Sequence, residues 1–177
     1  MGKADFFFDQ MLKENSVQGR TKTTAHHWGL FAASGLLMVT MPAYIYVSPM
    51  FDIPVLEGAS QFLGVGLLGG MLLSWAYRSV SLQRQINWLA TTPPPKANEK
   101  VAKKEREEAM AAHEKKAADV CCAYALCTVN ISFVLLWLLT AFYALPKFST
   151  DVSSKLNHLL SVLGPSLLLA FKATAAF

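Results

Sequence analysis

Residues 133–145 read FVLLWLLTAFYAL, and this stretch decides the fold. It contains no Asp, Glu, Lys or Arg and is apolar on every face. A helix of a soluble bundle shows a polar face repeating at 3.6 residues, so this segment belongs in hydrocarbon rather than in a water-soluble core. The charge-free window around it extends from Val120 to Pro146. At about 1.5 Å of rise per residue, roughly 20 such residues cross a ~30 Å hydrocarbon core.

Working outward, three more charge-free windows emerge. The first runs from Thr23 to Phe51, with its apolar heart at Trp28 to Val47, and the second lies between Glu57 and Arg78. The last, Leu156 to Phe171, is the shortest, and Gly164-Pro165 is expected to interrupt it; Lys155 and Lys172 stand at its ends as snorkelling cations. The first window is not expected to be a signal peptide: it starts only near Trp28 and is followed by Pro and aromatic residues instead of a small-residue cleavage site. Nor does the start Met-Gly-Lys-Ala-Asp-Phe offer the Ser or Thr of a myristoylation signal.

The expected fold class is therefore all-α, a polytopic membrane protein with four transmembrane helices and a cytosolic helical hairpin extending spans 2 and 3. The predicted organisation is an arm at 1–27, span 1 at 28–47, a luminal connector at 48–57, span 2 at 58–77 and a basic hairpin at 78–119. Span 3 follows at 120–145, a second luminal connector at 146–155, span 4 at 156–171 and a tail at 172–177. Only 16% of the 177 residues are charged, and 53% are hydrophobic. Of the 28 Lys, Arg, Asp and Glu residues, 15 fall between Arg78 and Asp119, which excludes one soluble core. Three cysteines, an odd number, clustered at Cys121, Cys122 and Cys127, argue against a disulfide-stapled secreted domain.

Charge asymmetry sets the orientation. With four spans, the arm, the central block and the tail share one side and carry 14 of the 16 Lys and Arg residues; the connectors carry Lys147 and Lys155. The positive-inside rule puts both termini and the hairpin in the cytosol. In the arm, Phe6, Phe7, Phe8, Met11 and Leu12 fall at helical spacing among charges, the pattern of an amphipathic interfacial helix.

Beyond Arg78 the second span reads on as a helix until Thr91-Thr92-Pro93-Pro94-Pro95, where proline lacks its donor and disfavours helix in the residue before it. The segment after it is rich in Ala, Glu and Lys, strong helix formers. No breaker separates it from the third span before Pro146, so a helical hairpin is expected to stand out of the membrane. Its charges are mixed, and a solvated face with i,i+4 pairs such as Glu99–Lys103 accounts for many of them. The loop still carries a net +3, nine bases against six acids, which suits anionic lipid or nucleic acid phosphate.

Chemistry is sparse. His26, His27, His113 and His158 include no i,i+4 ligand pair, and His26 and His27 are expected on different faces as interfacial polar residues. Cys121 and Cys122 read either as palmitoylation sites or as small fillers. The sequon at Asn130 falls inside a span, where Asn bonds a neighbouring helix instead of a glycan. Gly66 and Gly70 match the small-xxx-small packing pattern, alongside Gly64 and Gly69. With no phosphate loop, nucleophile elbow or metal motif, no enzyme, cofactor or small-molecule substrate is expected. The spans hold no ionisable Asp, Glu, Lys or Arg, which disfavours a transporter.

The chain resembles the gamma-subunit family of the translocon-associated protein complex, also called signal sequence receptor gamma. The resemblance covers nearly the whole chain. It rests on the acidic-aromatic arm, Met41-Pro42-Ala43-Tyr44-Ile45-Tyr46 in span 1, and Ala76-Tyr77-Arg78-Ser79-Val80 closing span 2. The basic loop, Lys115-Lys116-Ala117-Ala118-Asp119 leading to Tyr124 and Asn130, and a short fourth span continue it. Departures are the shorter loop with its triple proline and the Cys121-Cys122 pair.

The resemblance implies a non-enzymatic subunit of the endoplasmic-reticulum membrane. Its cytosolic hairpin would contact the ribosome, through ribosomal RNA and protein, and its spans would lie beside the Sec61 channel, the other complex subunits and membrane lipid. On that implication the ribosome-binding set is Arg78, Arg84, Lys100, Lys103, Lys104, Arg106, Lys115 and Lys116, with Gly66, Gly70 and Asn130 packing helices. The competing reading is a membrane scaffold or insertion factor whose hairpin binds another membrane subunit without ribosome contact.

Overall fold

The computed structural model describes residues 21, 23–47, 53–92, 103–148 and 153–175. The amphipathic arm, the triple proline and Lys100 lie outside the described residues. Among the described residues every regular element is helical: α1 (Ala25–Val47), α2 (Val55–Thr91), α3 (Lys103–Leu138), a π turn (Leu139–Ala144), α4 (Leu145–Phe148) and α5 (Ser154–Ala175). Four of the helical runs are long and apolar enough to cross a membrane: Ala25–Val47, Gly58–Thr91, Glu107–Lys147 and Ser154–Ala175.

Local sequence sets each boundary. Thr24 caps α1: its Oγ1 accepts from the His27 backbone N–H at 3.4 Å, and its carbonyl accepts from Trp28 at 3.2 Å. Ser153 does the same for α5 through the Leu156 N–H at 3.3 Å. Helix α2 stops at Thr91, directly before the prolines, with the Thr92 N–H donating back to the Trp88 carbonyl at 2.8 Å. At 37 and 36 residues, α2 and α3 are each about 55 Å long at ~1.5 Å per residue. That exceeds a ~30 Å hydrocarbon core, so both run out of any bilayer on the same side.

Helix α2 is the centre of the bundle, packed against α1, α3 and α5. Helix α3 meets its neighbours through residues four apart: Ala117, Cys121, Ala125, Val129, Phe133 and Trp137, all buried. Small side chains at the hairpin end of this stripe let α2 and α3 approach; large ones at the other end fill the space where α5 joins. Cys121 and Cys122 are part of this packing, and Cys127 is the exposed thiol.

The distribution of polarity is that of a protein in lipid. Leu37, Leu63, Met71, Leu168 and Phe171 face outward, while Ser74, Asn157, His158, Ser161 and Ser166 are buried. Intramembrane polar groups turn toward neighbouring helices because hydrocarbon offers them no partner. Unlike the stretch 133–145, α5 has a polar stripe, Asn157, His158, Ser161 and Ser166, which points into the bundle. The expected interruption at Gly164-Pro165 fails: α5 is continuous through it over 22 residues. Pro165 is buried against the bundle, and a proline in a packed membrane helix costs one backbone bond that neighbouring groups make good.

The π turn has a readable cause. An α-helical Pro146 would clash with the carbonyl four residues earlier and leave it without a donor. Here the turn before it widens, and the Leu145 N–H donates to the Thr140 carbonyl, five residues back. The Ala141 carbonyl then has no backbone donor: Leu145 is already used, and the residue five ahead is Pro146. Asn157 Nδ2 of α5 supplies the bond at 3.3 Å. Around it, Tyr46 Oη donates to Asn157 Oδ1 at 2.6 Å and lies 3.0 Å from Ser161 Oγ, while Gln61 Nε2 donates to the Lys155 carbonyl at 2.5 Å. This knot, buried at Asn157 and Ser161 and half-buried at Gln61, joins all four spans at the end opposite the hairpin.

Candidate functional site at the base of the helical hairpin

Helices α2 and α3 leave the bundle together, and the ring of Trp88 packs on that of His113, centroids 4.7 Å apart, between the two arms. Along the other side of the base, α1 begins. His27 is buried, and its Nε2 lies 3.0 Å from Asp119 Oδ1 on α3. Its Nδ1 sits 2.9 Å from Thr24 Oγ1. The arrangement that satisfies every group has Thr24 O–H donating to Nδ1 and Nε2–H donating to the carboxylate. His26, one residue away, is exposed, so the two histidines do face apart. The pair His27–Asp119 joins residues 92 apart and is invisible to local spacing. A recess of about 560 Å³ opens beside it, lined by Thr24, His26, Gln85, Glu114 and Lys115 among others.

The basic residues singled out from sequence divide into groups. Arg84 is exposed with its guanidinium 4.8 Å from the ring centroid of Tyr124 on α3. Arg78 lies lower, its guanidinium 5.1 Å from the ring centroid of Trp28 and 5.8 Å from that of Trp75. Lys115 and Lys116 are exposed on the α3 arm. Lys103, Lys104 and Arg106 belong to the first turn of α3, and Lys100 precedes the described part of that helix. The hairpin thus presents bases at two levels: a lower tier held on aromatic faces, and an upper one on the α3 arm. Cation–π contact fixes the lower tier at little entropic cost.

Inside the bundle, Asn130 Oδ1 accepts from Tyr77 Oη of α2, and Asn130 Nδ2 donates to Ser34 Oγ of α1 at 3.4 Å, so one side chain links three helices. Gly70 sits at the closest approach of α1 and α2: a Cβ on Gly35 would fall 2.6 Å from the Gly70 carbonyl oxygen. A Cβ on Gly69 would press on Val39 and Val162, one on Gly66 would come no nearer to Val39 than 4.0 Å, and one on Gly64 would meet nothing within 4 Å. The glycine sequence motif named α2 but not its partner Gly35, whose single position in α1 carries no repeat. The polar knot around Asn157 leaves one trace in the sequence, the i,i+4 placement of Asn157 and Ser161 with Pro165 next in register.

Among the described residues no group of three His, Cys, Asp or Glu side chains could hold a metal ion. The geometry is that of four membrane-length helices packed as a bundle, two of which continue into charged helical arms. Over residues 9–175 the chain matches the family described as translocon-associated protein, gamma subunit (TRAP-gamma), and it belongs to that family. A search of curated proteins found no match. Family and spans together make it a multi-pass subunit of a translocon-associated complex of the endoplasmic-reticulum membrane.

Proposed function

We propose that the α2–α3 hairpin faces the cytosol, with both chain termini, and docks translating ribosomes on the membrane beside the Sec61 channel. The observation that carries this reading is that α2 and α3 run unbroken from the apolar bundle into the charged hairpin. A force or position taken up at the basic arm is therefore transmitted to the spans without a flexible joint. The Trp88–His113 contact and the His27–Asp119 bond brace the base against hinging. The excess of Lys and Arg on the hairpin side of the spans supports the orientation. The contact set is Arg78, Arg84, Lys100, Lys103, Lys104, Arg106, Lys115 and Lys116. In it, Lys115 and Lys116 are the exposed upper members, and Arg78 and Arg84 are held close to the spans. Phosphate contacts of this kind give affinity without reading sequence. No catalysis and no cofactor enter the role; Gly66, Gly70 and Asn130 hold the spans that stand beside the channel and the other subunits.

Sedimentation of detergent-solubilised membranes with ribosomes over a salt series tests it. Binding falls steeply as salt rises, and Lys115→Glu with Lys116→Glu lowers the slope of log affinity against log salt by about 1 to 2, near ~0.7–0.9 per lost phosphate contact. Ribosome association that ignores both salt and the double charge reversal overturns the proposal and leaves a scaffold that packs on another membrane subunit.

A further inference from the structure

Two apolar grooves flank the indole of Trp75. One, about 390 Å³, runs between α1 and α2 under Trp28 and is lined by Ala32, Leu36, Leu67 and Met71. The other, about 340 Å³, runs between α2 and α5 past Leu72, Leu167 and Phe171. Both fall within the ~300–1,000 Å³ typical of ligand sites. Trp75 lines both grooves, so they lie side by side, and Arg78 stands one turn beyond it toward the hairpin. The guanidinium of Arg78 is within cation–π distance of Trp28 and Trp75, yet its Nε is buried without a hydrogen-bond partner. No carboxylate pairs with Arg78 among the described residues.

We infer that this face binds one diacyl glycerophospholipid, its phosphate on Arg78 and its two acyl chains in the grooves on either side of Trp75. Charge and shape select this occupant. A phosphate supplies the counter-anion that the Arg78 guanidinium lacks among the described residues, and guanidinium meets phosphate in a bidentate fork. An apolar helix laid on the same face would cover the grooves but bury the guanidinium charge without an anion, which is costly. A Trp pair beside an arginine is the chemistry of the headgroup level, where amphipathic rings and long cationic side chains settle. The site goes beyond ribosome docking and does not depend on it. On this assignment Arg78 leaves the ribosome contact set and serves the lipid, and Lys115 and Lys116 on the exposed arm remain free for other contacts.

The test uses the full chain reconstituted in vesicles of phosphate-free digalactosyldiacylglycerol. A small fraction of the lipid carries brominated chains, either as phosphatidylcholine or as the same galactolipid. Bromine quenches nearby indoles, and Trp88 and Trp137 contribute a shared baseline to both arms. The expected result is several-fold more quenching by brominated phosphatidylcholine than by brominated galactolipid at equal content. Arg78→Gln abolishes the difference. Ala32→Phe, which fills one groove and leaves the cation in place, shrinks it while helicity is unchanged. Equal quenching by the two lipids in the unmodified protein overturns the proposal. So does a difference that survives Arg78→Gln, or one that Ala32→Phe leaves intact.

Discussion

The glycines of α1 and α2 offer a test in which one chemical change has opposite consequences at two positions. Replacing Gly35 by Ala adds a Cβ 2.6 Å from the Gly70 carbonyl oxygen and 3.0 Å from Ser74 Oγ. The first neighbour is backbone in the middle of α2, which cannot swing aside, and Ser74 Oγ is itself engaged with the Phe31 and Gly70 carbonyls. The helices must separate, and overpacking of that kind costs about 1–3 kcal/mol. The same substitution at Gly64, whose Cβ would meet nothing within 4 Å, forces no movement. Both variants gain the same helix-propensity term of about 0.5–1 kcal/mol, so it cancels between them. Gly35→Ala is therefore expected to be less stable than Gly64→Ala by about 1–3 kcal/mol, a factor of roughly 5 to 150 in the unfolding equilibrium. Reversible unfolding in mixed micelles, followed by tryptophan fluorescence and checked by circular dichroism, reads this difference directly. If the two variants unfold together, the closest approach of α1 and α2 does not lie at Gly35 and Gly70, and the packing argument fails.

Two further outcomes follow from buried polar groups. Asn157→Leu removes the donor to the Ala141 carbonyl and is expected to cost about 1–3 kcal/mol. In a Pro146→Ala background the penalty shrinks, because the backbone regains a donor there; an unchanged penalty in this double-mutant cycle refutes the account of the π turn. Asp119→Asn weakens the tie between α3 and the first turn of α1, by about 1 kcal/mol or less since the carboxylate is 56% exposed. Hydrogen exchange of the amides that follow Thr24 should rise with no change at the opposite end of the bundle, and uniform protection across α1 contradicts the proposed brace.

Much of the architecture is written in one dimension. FVLLWLLTAFYAL and its three companion windows specify helices for hydrocarbon because length and the absence of charge are local properties, needing no knowledge of neighbours. The stop at Thr91 before the prolines, and the continuity of α3 from charged arm into apolar span, are equally local. Reading Gly164-Pro165 as a break was wrong because whether a proline interrupts a helix depends on what packs around it, and α5 packs Pro165 into the bundle. The inward polar stripe of α5 is periodic in the sequence, but its direction is not: only contact with Tyr46 and the Ala141 carbonyl shows that it faces protein.

The candidate site shows the same division. That Arg78, Arg84, Lys115 and Lys116 form a basic hairpin is a matter of composition and order. That Arg78 lies against Trp28 from another helix, and Arg84 against Tyr124, depends on which faces of α1, α2 and α3 meet. The sequence alone determined an all-helical, four-span chain with a charged hairpin, because rise per residue, charge and proline act on the nearest few residues. Tertiary structure alone decided that His27 reaches Asp119, that Gly35 meets Gly70 and that Asn157 repairs the backbone before Pro146. Those partners stand far apart in the chain, and only the close packing of helices brings their atoms within range.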